Sequence, residues 1–168
     1  MQRGFDPNTR DEKGQPGLTI AVQEHAEKVT RLLLQHPTID VNAMNSAGES
    51  ALMMAGLKGD LAATKLLLAG GARVNQPGWS ALHYAASGPQ PEIVQLLLER
   101  GAAVDARSPN GTTPMMMAAR YGSEDSVKLM LKRGANPRLA NQRELRAADF
   151  ARLAGRKSLA SRLDAAAR

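Results

Sequence analysis

A run of three apolar residues returns four times along the 168-residue chain at nearly constant spacing. The runs, three of them Leu-Leu-Leu and the last Leu-Met-Leu, occupy residues 32–34, 66–68, 96–98 and 129–131. Each is preceded 11 positions earlier by an alanine, at Ala21, Ala55, Ala85 and Ala118. Spacings of 34, 30 and 33 residues indicate structural repeats, in which stacked units bury one continuous core that no unit could form alone.

Each unit also carries signals for two helices. The hexads SALMMA, SALHYA and TPMMMA begin at Ser50, Ser80 and Thr113, residue types preferred as N-caps. The apolar runs mark the second helices. Three of these runs are followed by a glycine that suits a left-handed C-cap, namely Gly71, Gly101 and Gly134. The predicted helix pairs are 16–24 and 26–35, 50–58 and 60–69, 80–87 and 91–100, 113–121 and 123–133, and 146–154 and 157–165.

The fixed order of hexad, leucine run and glycine-containing turn resembles the ankyrin repeat, with its Thr-Pro-Leu-His-x-Ala signature and period of about 33 residues. SALHYA is the closest hexad, and TPMMMA keeps the Thr-Pro. The resemblance implies a single all-α solenoid of about five units with β-hairpin-like fingers, its N-terminal unit truncated. We expect the tail of a missing repeat at 1–10, repeats at 11–43, 44–75, 76–106 and 107–139, and a capping repeat at 140–168.

The units depart from one another in their fingers and at the two ends of the chain. Each finger is numbered by the repeat whose first helix follows it. The second finger runs from Asn42 to Gly48 and the fourth from Asp105 to Gly111, and each spans six positions. The third finger, from Asn75 to Gly78, spans only three and is therefore short. The last unit places Arg162 at a former leucine position, as a polar cap requires. Residues 3–8 are similar to the end of a unit, which predicts a further repeat upstream and a truncated chain.

Catalytic and metal-binding patterns were not found. The chain has no cysteine, which excludes a disulfide scaffold, a thiolate zinc site and a cysteine nucleophile. Its three histidines lack metal-ligand spacing. Ser80 and His83 could be a nucleophile and its base, or a helix cap in which the hydroxyl bonds the imidazole, and we favour the cap. We therefore expect no enzyme activity, cofactor, metal or small-molecule substrate. No apolar stretch reaches the roughly 18 residues of a membrane span.

The net charge of +6 is unevenly distributed. Residues 128–168 carry eleven Lys and Arg against three acids, whereas residues 1–127 carry eleven against thirteen. A basic end can attract an anionic partner or can simply be a solvated cap. Nucleic acid is disfavoured because aromatic residues make up 3% of the chain and Phe150 alone lies in this unit.

The methionine clusters also have two interpretations. Met53, Met54 and the run at 115–117 could form an adaptable binding surface, but their hexad positions favour the core. Met53 and Met116 stand where the family has its histidine, so they should lose the polar bracing of the finger.

The resemblance implies a protein-binding module that contacts its partner through a concave surface of finger tips and first helices. The family's variable recognition positions carry over to Ser46, Ala47, Glu49, Leu57, Lys58, Trp79, Ser87, Asn110, Thr112, Arg120 and Tyr121. No recognition role is carried over to the cap. One alternative is a binder of an anionic partner, nucleic acid or acidic protein, through the basic C-terminal repeat; another is the recognition segment of a larger enzyme. The location stays unknown: the cytoplasm is favoured, but the expected upstream segment could carry a targeting signal.

Trp79 has two competing interpretations. Tryptophan is enriched at binding hot spots, and the short finger should leave the protein surface beside Trp79 exposed. Alternatively, the indole packs on residues 88–91 of its own repeat and fills the space that the short finger leaves.

Overall fold

The computed structural model describes residues 6–168, and within them it contains ten helices in five consecutive pairs and no strands. The helices are α1 (Gly17–Gln23), α2 (Glu27–Leu34), α3 (Ala51–Lys58), α4 (Leu61–Ala69), α5 (Ala81–Ser87), α6 (Pro91–Glu99), α7 (Pro114–Arg120), α8 (Glu124–Lys132), α9 (Ala147–Leu153) and α10 (Lys157–Ala166). Every predicted helix is present within one residue at each end. The all-α repeat solenoid is therefore confirmed. The predicted tail of a missing repeat lies partly outside the described residues.

Local capping explains where the helices begin and end. The Ser50 hydroxyl accepts a hydrogen bond from the Met53 backbone at 3.4 Å, and Thr113 caps α7 in the same way. Pro114 opens α7, where no intrahelical N–H is required. The glycines after the second helices have φ angles of 84–89°, the left-handed C-cap conformation that was predicted.

The first helices of successive pairs pack closely against one another. Alanine and glycine allow this approach: a Cβ at Gly56 of α3 would lie 3.0 Å from the Ala85 backbone nitrogen of α5. The second helices approach one another less closely than the first helices do. The stack of repeats therefore curves, with the row of first helices on its inner, concave side and the row of second helices on its outer side. Leu52, Leu67 and Leu97 lie in the continuous core between the two rows.

The fingers between units are short hairpins, and each is tied to the turn of the next unit. Isolated antiparallel bridges join Met44 to Ser50 and Ala140 to Arg146. The side chain of Asn75 accepts from the Ala103 backbone at 2.9 Å and donates to the Gly101 carbonyl at 2.8 Å. Asn8 and Asn42 make both equivalent bonds, and the Asp105 carboxylate accepts from the Asn136 backbone at 3.1 Å. A row of polar side chains thus sets the spacing of the units.

The shortened third finger closes by a different bond. The Gln76 amide donates across it to the Trp79 carbonyl at 2.9 Å. In the longer fourth finger the backbone makes the equivalent contact, from Ser108 N–H to the Thr112 carbonyl at 3.0 Å. The short finger is therefore a complete turn that ends directly at Trp79.

Candidate partner-binding groove

An apolar groove runs along the concave side of the third repeat. This central groove has a volume of about 470 Å³ and is lined by Leu57, Trp79, His83, Tyr84, Ser87, Met117 and Tyr121. Its walls come from the end of α3, from α5 with the residue before its N-cap, and from α7 with its C-cap. Because these first helices are held by the repeat stacking, the groove is fixed by the fold.

A second depression continues the first toward the C-terminus. This cap-side groove has a volume of about 250 Å³, and its walls are Trp79, Asn110, Thr112, Met117, Arg120, Tyr121, Asn141, Arg143, Leu145, Phe150 and Leu153. Trp79, Met117 and Tyr121 line both grooves. The two grooves therefore form one surface that extends from the second repeat to the cap, across four units.

The aromatic walls are held in place by specific contacts. The half-buried Trp79 ring lies edge-on to His83, with centroids 5.2 Å apart and planes at 75°. The Tyr121 side chain remains 58% exposed, and the Arg120 guanidinium sits 5.2 Å above its ring. Two aromatic rings are thus presented to solvent next to apolar neighbours.

The loop after α5 packs on the preceding repeat. Pro89 and Gln90 lie within 2.9 Å of the position that a Cβ on Gly59 would take. Trp79 meanwhile contacts His83 and lines both grooves. This arrangement favours the groove interpretation of Trp79 over packing on residues 88–91.

His83 links the third helix pair to the fourth finger. Its Nδ1 lies 2.9 Å from the Ser80 hydroxyl and 3.2 Å from the Ser80 backbone nitrogen, which donates to it. Its Nε2 lies 2.9 Å from the Thr112 carbonyl. Because a carbonyl can only accept, Nε2 carries the proton and Nδ1 accepts. Burial lowers the pKa of His83, so the imidazole is neutral. The interpretation as a cap is confirmed.

The other units place different side chains at the position of His83. The sulfurs of Met53 and Met116 accept from the N-cap backbones at 3.4 and 3.3 Å, but a thioether has no proton to donate onward. In the first unit the position is Thr19, whose buried hydroxyl has no partner within residues 6–168. The N-cap there is Pro16, which has no N–H to offer. The predicted loss of polar bracing at the two methionines is confirmed.

Most of the methionines belong to the core, as their spacing predicted. Met53, Met54, Met115 and Met116 are buried. Met117 is partly exposed and lines both grooves.

Tyr84 is a groove residue that sequence reasoning missed. Its phenol O–H donates to the Glu49 carboxylate at 3.0 Å, and burial together with Glu49 raises the pKa of Tyr84 to about 12. The second Glu49 oxygen accepts from the Asn45 side chain at 2.8 Å. Glu49, named as a recognition residue, therefore holds a groove wall in position.

The structure brings several of the predicted recognition residues together. Leu57, Trp79, Ser87 and Tyr121 line the central groove, and Asn110, Arg120 and Thr112 line the cap-side groove. Thr112 is only 2% exposed, so it offers little surface to a partner. Ser46, Ala47 and Lys58 are exposed but line neither groove.

The missed residues share a sequence signal. Tyr84 and Met117 occupy the fifth position of their hexads, Phe150 occupies the equivalent position in residues 146–151, and all three line a groove. His83, which was interpreted as part of a helix cap, also lines the central groove. The remaining missed residues lie in the cap, where no recognition role was carried over: Asn141, Arg143, Leu145 and Leu153.

Four of the cap arginines have side-chain partners within the structure. Arg152 pairs with Asp149 and Asp164, and Arg162 pairs with Glu124. The Arg156 guanidinium donates to three carbonyls at the C-terminal end of α7, at distances of 2.9–3.1 Å. These carbonyls belong to Ala118, Ala119 and Gly122. These contacts favour a structural role for the basic cap.

Within residues 6–168, no group of three His, Cys, Asp or Glu side chains is arranged to hold a metal ion. None of the described helices has the length and apolar character needed to cross a membrane.

Comparison with known families identifies the class of the protein. A family model described as ankyrin repeats (3 copies) matches residues 1–77 and 57–141. The chain therefore belongs to the ankyrin-repeat family, whose members are protein–protein interaction modules.

Similar sequences occur as parts of much larger proteins. The chain is 32% identical over 148 residues to the nuclear factor NF-kappa-B p105 subunit of Gallus gallus, covering 84% of this chain and 15% of that protein. It is 30% identical over 146 residues to the transient receptor potential cation channel subfamily A member 1 of Homo sapiens, covering 80% of this chain and 13% of that protein. Neurogenic locus notch homolog protein 4 of Homo sapiens is 43% identical to the chain over 88 residues, covering 50% of this chain and 4% of that protein. The chain thus spans at most about a sixth of these relatives.

Proposed function

We propose that this chain is a non-catalytic binding module that holds a partner protein along the central and cap-side grooves. The observation that carries the proposal is the continuity of the two grooves through Trp79, Met117 and Tyr121. A partner that follows the concave side meets these three side chains whichever groove it enters first.

The composition of the surface supports this role. Binding energy at protein interfaces is concentrated in a few aromatic, aliphatic and arginine side chains that become desolvated. In this aromatic-poor chain, the tryptophan and both tyrosines line the central groove. A groove of about 470 Å³ is large enough to receive one or two bulky apolar side chains of a partner.

The short third finger supports access to the groove. It reaches its glycine three positions after Asn75, where the second and fourth fingers use six. The longer neighbouring fingers end on either side of it, so we propose that the missing length leaves the Trp79 side of the groove open.

The test is affinity capture with the full chain as bait, in parallel with Trp79→Ala and Leu32→Ala. Leu32 is 68% exposed on α2 and lines neither groove, so it controls for the loss of an exposed apolar side chain. We expect Trp79→Ala to lose the partner, with binding weakened by at least about 2 kcal/mol and little change in melting temperature. Leu32→Ala should retain the partner.

Two results would contradict the proposal. Equal capture by wild type and Trp79→Ala would place the interface elsewhere. A stability loss of about 3 kcal/mol or more in Trp79→Ala would make the indole a packing residue instead.

A further inference from the structure

The charges along the grooves point to the chemistry of the partner. Arg120 and Arg143 line the cap-side groove, and no Asp or Glu among the described residues lines either groove. His83 and Tyr84 are neutral near pH 7, because burial lowers the pKa of the imidazole and raises that of the phenol. The lining therefore carries positive charge only.

Arg120 and Arg143 differ from the cap arginines around them. Four cap arginines, Arg146, Arg152, Arg156 and Arg162, pair with carboxylates of the chain. No ion pair within residues 6–168 involves Arg120 or Arg143. These two guanidinium groups are available for a carboxylate from outside, and a fork of N–H donors suits a carboxylate well.

The same geometry disfavours a cationic ligand. Aromatic rings near a pocket can bind an ammonium group, but one face of Tyr121 is already covered by the Arg120 guanidinium at 5.2 Å. A second cation there would meet a like charge.

We infer that the partner segment is an acidic, extended peptide, with a large apolar side chain in the central groove and a carboxylate between Arg120 and Arg143. This inference rests on the proposed function and names the chemistry of the partner. The apolar side chain meets Leu57, Trp79 and Tyr121, and the carboxylate lies toward the cap.

The repeat spacing sets the distance between the two anchors. The central groove lies between α3 and α7 and the cap-side groove between α5 and α9, so their centres are displaced by one repeat. Packed helices are spaced by about 10 Å, which an extended chain covers in about three residues. The excess of basic residues in 128–168 steers the acidic end of the peptide toward the cap.

The experiment is selection from a library of random 12-residue peptides displayed on phage, with the full chain immobilised. Enriched peptides should combine Leu, Phe or Trp with Asp or Glu about three positions away. The selection is repeated on the double variant Arg120→Gln/Arg143→Gln. The matched control is Arg73→Gln/Arg100→Gln, which removes two exposed charges outside both grooves.

The strongest peptide is then measured in solution by fluorescence anisotropy. We expect the groove double variant to bind it at least 10-fold more weakly, and the control variant to match wild type. Replacing the peptide's acids by their amides should weaken binding to wild type and change binding to the groove double variant little.

The outcomes separate this inference from the proposed function. Neutral or basic peptides that lose binding in Trp79→Ala would overturn the acidic partner and leave the groove as the binding surface. Acidic peptides that bind Trp79→Ala as well as wild type would overturn the groove itself. A selection without enrichment would overturn both.

Discussion

The third and fourth repeats share one scaffold, and two of their differences lie beside the central groove. Asn75 to Gly78 spans three positions in the finger of the third repeat, and Asp105 to Gly111 spans six in the fourth. The third repeat has His83 where the fourth has Met116. His83 accepts from its own N-cap and donates to the next finger, whereas Met116 only accepts.

This difference shows how one repeat can be specialised without loss of the array. The short finger ends directly at Trp79, and the His83 imidazole that braces the next finger also lies against the indole. The fourth repeat keeps the full finger and contributes Met117 and Tyr121 as the opposite wall. The shortened finger departs from the repeat pattern, whereas His83 keeps the family's histidine that the second and fourth repeats replace, and both features lie at the groove.

The largest expected effect tests the packing that the two repeats share. In Gly122→Ala, the new Cβ would lie 1.9 Å from the Ala86 carbonyl oxygen and 3.0 Å from the Ala118 Cα. Since backbone is the obstacle, we expect a loss of about 3 kcal/mol of unfolding free energy, measured by urea denaturation.

The control is Gly134→Ala, which has open space around its Cβ but a φ of 87°. It should cost about 1 kcal/mol, from backbone strain alone. Equal losses in the two variants would show that the repeats do not approach as closely as described.

A smaller effect is expected when His83 of the third repeat is replaced by methionine, the residue at the equivalent position of the fourth repeat. His83→Met leaves the Thr112 carbonyl without its donor, at a cost of about 1–2 kcal/mol at neutral pH. Burial holds the pKa of His83 below 6.5 in the folded state, so the unfolded state binds the proton first as pH falls. The stability contributed by the neutral imidazole is therefore present above about pH 6.5 and is lost below it.

Urea unfolding of both chains at pH 8, 7, 6 and 5 measures this dependence. The difference between wild type and His83→Met should shrink as the pH falls. Met53→Leu, which removes no onward donor, should show a difference of under about 1.5 kcal/mol that stays constant with pH. A His83→Met difference independent of pH would contradict the neutral brace.

The smallest effect comes from the first repeat and has the opposite sign. Thr19 buries a hydroxyl without a partner, so Thr19→Val should raise the unfolding free energy by about 1 kcal/mol. In a Pro16→Ser background the N-cap regains an N–H that the hydroxyl can accept, and the gain should disappear. A destabilising Thr19→Val in the natural background would show that the hydroxyl is satisfied.

The helices could be predicted from the sequence because their signals are local. Caps, apolar spacing and C-terminal glycines lie within the unit that they define, so every helix was placed within one residue. The burial of Tyr84 could not be predicted from its position in the repeat. At the equivalent position, Met54 of the second repeat is buried, whereas Met117 of the fourth repeat is partly exposed. Exposure there depends on the spacing and finger lengths of adjacent units.

The cap was the least predictable region for the same reason. Arg162 meets Glu124 across 38 positions of sequence, so its role depends on how the last helix packs. Leu153 and Arg143 line a groove whose other walls come from the third and fourth repeats. The composition showed a basic end, but which of its arginines are paired with carboxylates depends on the tertiary structure.

The claim that a short third finger gives a partner access to the groove can be tested by restoring the finger's length. Residues 76–77 are replaced by the five residues 106–110, which gives the third finger the six-position span of the fourth. Calorimetric titration with the selected acidic peptide should show binding at least about 30-fold weaker, or 2 kcal/mol, with a nearly unchanged melting temperature. Undiminished affinity in the finger-extended chain would contradict the claim.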